Sequence, residues 1–118
     1  MKSSYNLVKS TIYALAGIKT MWCDEISFRI ELLVGLTAIF ISFFLPVTLT
    51  LHLLLIMSIL LIFIAEAINS AIENTVDMVT GEFNSYAKKA KDTAAAAVFF
   101  SIIFACIVWA AVLYSLLK

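Results

Sequence analysis

Charge is what this 118-residue sequence most lacks: 14% of its residues are charged, against 64% hydrophobic. A soluble domain usually has nearer a quarter charged, and a chain this short cannot hide so much apolar surface in its own core. Lipid must cover it, which excludes an ordinary water-soluble domain. Formal net charge is zero, so the basic excess expected of a nucleic-acid binder is missing. The two cysteines, Cys23 and Cys106, are far apart and form no CxxC or metal-type spacing. Cys106 reads as a small core or lipid-facing residue, and Cys23 as an accessible one among polar neighbours. Histidine occurs once, at His52, with no partner for a triad or a zinc site, and reads as interfacial. The three glycines, Gly17, Gly35 and Gly81, form neither GxxxxGK nor GxGxxG. No cleaved leader is expected, because the apolar positions after Lys2 and Lys9 are interrupted by polar residues.

Long uncharged runs are what the sequence has instead. No charge occurs between Glu31 and Glu66, too long a stretch for one span of about 20 residues. The single proline, Pro46, lies near its middle and disfavours helix continuation. A second uncharged run covers Thr93 to Leu117, with Trp109 and Tyr114 toward its far end, as interfacial aromatics often are. The expected fold class is an all-α membrane protein of one domain, 1–118. It has membrane helices at about 28–45, 52–79 and 93–117, with a polar loop from Gly81 to Lys91. Residues 4–22 form an amphipathic surface helix, since Val8, Ile12, Leu15 and Trp22 recur at near-helical spacing. The alanines at 94–97 favour close helix packing in a bilayer, and Phe43, Phe44, Phe99, Phe100 and Phe104 supply lipid-facing or packing bulk. Lys2, Lys9, Lys19, Arg29, Lys88, Lys89 and Lys91 fall on one side of this three-span arrangement and only Lys118 on the other. By the positive-inside rule the N-terminus is cytoplasmic and the C-terminus periplasmic.

All eight acidic residues fall on the proposed cytoplasmic side. At about 100° per residue, Glu66, Ser70, Glu73 and Asp77 share one stripe of a helix with Asn69 beside it. Glu66 follows Ile62-Phe63-Ile64-Ala65 directly and so sits at the inner edge of the hydrocarbon, with Glu73 about 10 Å further along the axis. Carboxylates there are costly unless paired, protonated or bound to a cation. One reading is an interhelical ion pair to Lys91 or Arg29, or a solvated helix face. The other is chemistry. A carboxylate at the hydrocarbon edge can take a proton from a hydroxyl at headgroup depth, and carboxylates further out can hold Mg²⁺ with phosphate oxygens. Lysines can neutralise phosphate. Spacing alone does not select the reaction.

Three segments add a resemblance. Trp22-Cys-Asp-Glu25-Ile-Ser-Phe28-Arg29-Ile-Glu31 resembles the W-x-N-E-x-A-F-R-Q-E segment of bacterial diacylglycerol kinases. Glu66-Ala-Ile-Asn69-Ser70-Ala71-Ile72-Glu73-Asn-Thr-Val-Asp77 is similar to that family's E-x-x-N-[ST]-A-I-E-x-x-[VI]-D signature, and Ala90-Lys91-Asp92-Thr-Ala-Ala95-Ala96-Ala97-Val98 to its A-K-D-x-[AG]-[SA]-A-A-V element. The resemblance runs over nearly the whole chain. It implies a homotrimer in the bacterial inner membrane that transfers the γ-phosphoryl of ATP to the free hydroxyl of diacylglycerol, giving phosphatidate. Carried over by position, Glu66 resembles the general base, and Glu25 and Glu73 the Mg²⁺ ligands. Tyr13, Glu82, Phe83, Asn84, Lys91 and Asp92 match ATP contacts. Arg29, Glu31, Asn69, Ala95 and Trp109 match positions lining or supporting the lipid site, to which Lys19, Trp22, Ser27 and Phe28 are added. This sequence departs from the pattern at Asn6, where the family has a basic residue, at Asp24, where Asn is usual, and at Ala95, where many relatives have Ser.

Other functions remain as alternatives. An undecaprenol kinase would use the same motifs. A small proton-coupled transporter would use Glu66 as carrier, although transporter sites usually lie at mid-depth. A non-enzymatic membrane subunit would leave the clustered carboxylates unexplained.

Overall fold

Three of the four helices among the described residues begin on a side-chain cap, and those caps set where the three start. The computed structural model describes residues 6–118, and all its regular structure there is helical. The helices are α1 (Leu7–Asp24), α2 (Ile26–Ser42), α3 (Leu49–Val79) and α4 (Ser85–Leu117). Asn6 Oδ1 accepts the Lys9 N–H at 3.0 Å, and Thr48 Oγ1 accepts the Leu51 N–H at 3.3 Å. Asn84 Oδ1 accepts both the Tyr86 and Ala87 N–H groups, at 2.8 and 3.1 Å. Helix α2 has no such cap. One extended residue, Glu25 (φ −127°, ψ 112°), separates it from α1, and its carboxylate is directed at another helix.

These caps move the expected boundaries. The helix expected over 28–45 runs Ile26–Ser42, and residues 43–45 form a turn ahead of Pro46. The second, expected from 52, starts at Leu49, so His52 lies in the first turn of α3 rather than in a loop. Its ring packs on Phe43 with centroids 4.7 Å apart. The largest correction is at α4. The polar stretch expected to be loop to Lys91 is helical from Ser85, leaving only residues 80–84 as connection. Polarity there marks where the chain leaves hydrocarbon, not where the helix ends. Of the expected 4–22 helix, residues 4 and 5 lie outside the described residues, and the remainder extends to Asp24.

Helices α3 and α4 are long and apolar enough to cross a membrane. Their 31 and 33 residues give about 46 and 50 Å at 1.5 Å per residue. The 17 residues of α2 give about 26 Å, a few ångström short of a hydrocarbon core of about 30 Å.

The α3–α4 hairpin is the most extensive packing in the chain. Its buried positions are Leu55, Ser58, Ile59, Glu66, Asn69 and Ser70 on α3, facing Ala94, Ser101, Ala105 and Val112 on α4. Each set recurs every three, four or seven residues, the spacing of a coiled-coil seam. The α4 side is all small or β-branched, which lets the backbones approach closely. Ser58 is fully buried; its hydroxyl donates to the Leu55 carbonyl at 2.8 Å and accepts the Trp109 indole N–H at 3.2 Å. Trp109, expected near the far interface, is therefore a bond between the two long helices about 12 Å along α3 from Glu66. Outside this seam, large apolar side chains such as Leu33, Phe40, Phe99 and Ile107 are exposed, a surface that only lipid or a neighbouring chain can cover.

Candidate functional site

Glu25 and Ser70 are 45 residues apart, yet the Ser70 hydroxyl donates to Glu25 Oε2 at 2.5 Å. The extended backbone at Glu25 turns its side chain away from the α2 N-terminus and toward α3, where Ser70 is buried in the same stripe as Glu66 and Asn69. A second link comes from α4. The Lys91 ammonium pairs with Asp77 Oδ1 at 2.6 Å. Lys91 lies two residues before the uncharged run of α4, outside the hydrocarbon. Its hydrogen bond with Asp77 lifts its proton affinity above the ordinary lysine value, against burial, and the charges of Asp77 and Glu73 add to the effect. The three sequence segments thus meet through one hydrogen bond and one ion pair within a single chain.

Between these links lies a polar cavity of about 440 Å³, lined by Asp24, Glu25, Ser27, Glu66, Asn69, Glu73, Asn74, Asp77 and Lys91. Five carboxylates against one ammonium make it strongly negative. A triphosphate would be repelled unless cations accompanied it. Among the described residues no cluster of three or more metal-type side chains forms a ready-made cage. Glu25 and Glu73 facing one cavity instead suits Mg²⁺, which uses one or two carboxylates and completes its shell with water and phosphate oxygens.

A second cavity, of about 370 Å³, adjoins the first across Asp77 and Lys91, which line both. Its walls include Val76, Thr80, Gly81, Glu82, Phe83, Asn84, Ala87, Lys88 and Asp92. Some of its polar atoms are already engaged. The Asn84 oxygen caps α4, so its amide N–H₂ is the group left for a ligand. Asp92 is paired with Lys88 at 2.6 Å. Phe83 is almost fully exposed at 84%, an apolar face beside a charged pocket.

On the membrane side, Glu66 is buried at 4% exposure and Glu31 of α2 lies beside it. Glu31 Oε1, Arg29 Nε and Asn69 Oδ1 are buried with no partner among the described residues. The unpartnered atoms of Glu31 and Asn69, beside Glu66, form a place where an incoming hydroxyl and ester would find hydrogen-bond partners. Below Glu31 begins an apolar cavity of about 230 Å³ between α2 and α3.

Not every expected residue is gathered here. Tyr13 is exposed on α1, and neither it nor Lys19 nor Trp22 lines any of these cavities. Phe28 is buried at the start of α2 and packs rather than opens onto the site. Ala95 points outward on α4, while Trp109 braces Ser58 at a distance. Sequence reasoning placed Ser70 on the acidic stripe without seeing it as the anchor of Glu25, and did not single out Asn74; Asn74, one residue after Glu73, had no separate signal.

Comparison with known proteins points to one family. The model of the prokaryotic diacylglycerol kinase family matches residues 12–113. A diacylglycerol kinase of Escherichia coli is 38% identical over 109 residues, covering 92% of this chain and 89% of the relative. One of Haemophilus influenzae is 36% identical over 109 residues, covering 92% of each. One of Helicobacter pylori is 36% identical over 115 residues, covering 98% of this chain and 90% of the relative.

Proposed function

The chain belongs to the prokaryotic diacylglycerol kinase family, and from that premise we propose that it transfers the γ-phosphoryl group of ATP to the free hydroxyl of diacylglycerol, at the cytoplasmic face of a bacterial inner membrane. The observation that carries this reading is the cavity where Glu25, Glu66, Glu73 and Lys91 converge from α3, α4 and the α1–α2 junction, flanked by the pocket of Glu82–Asn84 on one side and the apolar cavity at Glu31 on the other. A phosphoryl donor enters from the polar side and a lipid from the apolar side.

The residues divide the work by depth. Glu66, at the hydrocarbon edge, takes the proton of the lipid hydroxyl as its oxygen bonds to the γ-phosphorus. The bond from that phosphorus to the β-phosphate oxygen breaks, and ADP leaves. Glu31, Asn69 and Arg29 orient the lipid end, with Ser27 at the mouth of the polar cavity. Lys91 neutralises phosphate charge, and Glu82, Phe83, Asn84 and Asp92 hold the nucleotide. Glu25 and Glu73 would hold Mg²⁺, which would supply charge neutralisation at the phosphates. Such transfer needs mostly positioning and electrostatics, which a fold without a glycine-rich phosphate loop can provide. Tyr13 on α1 would complete the nucleotide contacts, and Lys19 and Trp22 the lipid contacts, once α1 lies along the membrane surface. Its exposed Leu7, Val8, Ile12, Leu15 and Ile18 suit that placement. The exposed apolar surface is in keeping with a homotrimer of three-span subunits.

Two measurements test this reading. Purified protein in micelles should move ³²P from ATP to diacylglycerol in a Mg²⁺-dependent way, and to undecaprenol much more slowly. Transfer to undecaprenol alone would make it the sister activity. No transfer to either, with proton uptake in vesicles, would favour the transporter. Topology gives the second measurement. With Cys23 and Cys106 replaced by serine, Thr48→Cys should react with an impermeant maleimide from the periplasmic side, and Ser85→Cys only after the membrane is opened. The reverse pattern would put the nucleotide pocket in a compartment without ATP.

A further inference from the structure

The apolar cavity between α2 and α3 holds about 230 Å³, and Glu31 is its one charged lining residue. Val34, Gly35, Ile59, Ile62 and Phe63 form most of its wall, and Ile102 of α4 closes it. We propose that this cavity seats the first part of one acyl chain of the lipid substrate, and that Gly35, through Phe63, sets which chains fit. The proposal rests on the lipid-kinase reading of the Glu66 site and adds a residue that determines selectivity.

An acyl chain is the occupant favoured by position. The cavity begins at Glu31, whose carboxyl faces Glu66. A lipid with its hydroxyl at Glu66 must place its tails directly below. Gly35 lies one turn past Glu31, about 6 Å deeper, and Ile59 about 10 Å deeper than Glu66 along α3. The other cavities do not offer this. Those of Glu73 and Glu82 are lined by charge, and the groove by Ile68, Ile72 and Ala97 lacks any of the site's carboxylates.

Gly35 is the sensitive point because a methyl group there has no room. A Cβ would lie 2.7 Å from Phe63 Cζ and 2.9 Å from Ile59 Cγ2, well inside van der Waals contact. Both neighbours line the cavity, so relief comes from moving the Phe63 ring, and the open space beside that ring is the cavity itself. A side chain at position 35 therefore narrows the cavity one turn below the reacting end. Chains ending above that level are little affected, and longer chains lose their path.

The test compares dioleoylglycerol with dihexanoylglycerol as substrates for the full-length protein in micelles. Gly35→Ala should lower kcat/KM for dioleoylglycerol about tenfold, the scale of an overpacked site, and leave dihexanoylglycerol within about twofold. Ile62→Phe fills the cavity without touching Gly35 and should shift the ratio in the same direction, which keeps the question answerable if Gly35→Ala fails to fold. Ile102→Ala enlarges it and should shift the ratio the other way. Ala97→Val, outside the cavity, should leave the ratio unchanged. An unchanged ratio in the active cavity variants would overturn the proposal and give the cavity to bulk lipid or a neighbouring subunit. Wild-type protein that phosphorylates neither lipid would overturn the kinase reading itself, and the acyl site with it.

Discussion

Glu66→Gln should leave a folded protein that binds ATP and turns over diacylglycerol slower by about 10² to 10⁴, the range that a positioned general base contributes. The substitution keeps the shape of a side chain that is 4% exposed in the α3–α4 seam, so little packing is lost. What it removes is the proposed proton acceptor. Glu31 is the obvious substitute, since its carboxyl faces Glu66. It begins on α2, however, at the head of the apolar cavity, so it would have to reach the hydroxyl from the lipid's own side. Residual turnover in the Gln variant that vanishes in a Glu31→Gln, Glu66→Gln double variant would mean that Glu31 takes over part of the task. Near-normal turnover in the single variant would end the assignment of Glu66 as base, and its burial would then reflect helix pairing alone.

The acidic stripe was legible in the sequence because Glu66, Ser70, Glu73 and Asp77 ride one uninterrupted helix, where a 3.6-residue period converts spacing directly into position. The break at Pro46 was legible for a similar local reason. Helix ends were harder. Hydropathy reports where a chain leaves lipid, and by that measure Lys88, Lys89 and Lys91 read as loop, although Asn84 caps a helix that carries all three. Contacts between helices were out of reach of any period. Nothing local in Glu25 or Ser70 says that they meet, or that Trp109 donates to Ser58. Gly35 looked like one of three unremarked glycines until the distance to Phe63 gave it a reason. Asp77 illustrates a reading that stays double. It forms the ion pair with Lys91 that the structural alternative called for, and the same pair stands between the two polar cavities.

Glu25 and Glu73 provide the strongest test of the site as a unit. Each Gln variant should raise the Mg²⁺ concentration needed for half-maximal rate and reduce turnover by about 10-fold to 100-fold or more, since even outer-shell partners of a metal are worth that much. The double variant should be little worse than the worse single, because residues acting on one ion are not additive. The geometry also decides a mixing experiment. Glu25 is held by Ser70 of its own chain, and Ser70 lies one helical turn before Glu73 on α3. Both carboxylates therefore reach one cavity from one subunit. Mixing Glu25→Gln subunits with Glu73→Gln subunits should restore no more activity than either has alone, since no chain in the mixture carries both. Recovery on mixing would mean that Glu25 of one subunit serves Glu73 of another, and that the Ser70 bond is not the arrangement used in catalysis. Multiplicative losses with unchanged Mg²⁺ dependence would separate the two residues altogether. Glu25 would then be a helix-junction residue held by Ser70, and Glu73 a solvated charge at the end of a membrane helix.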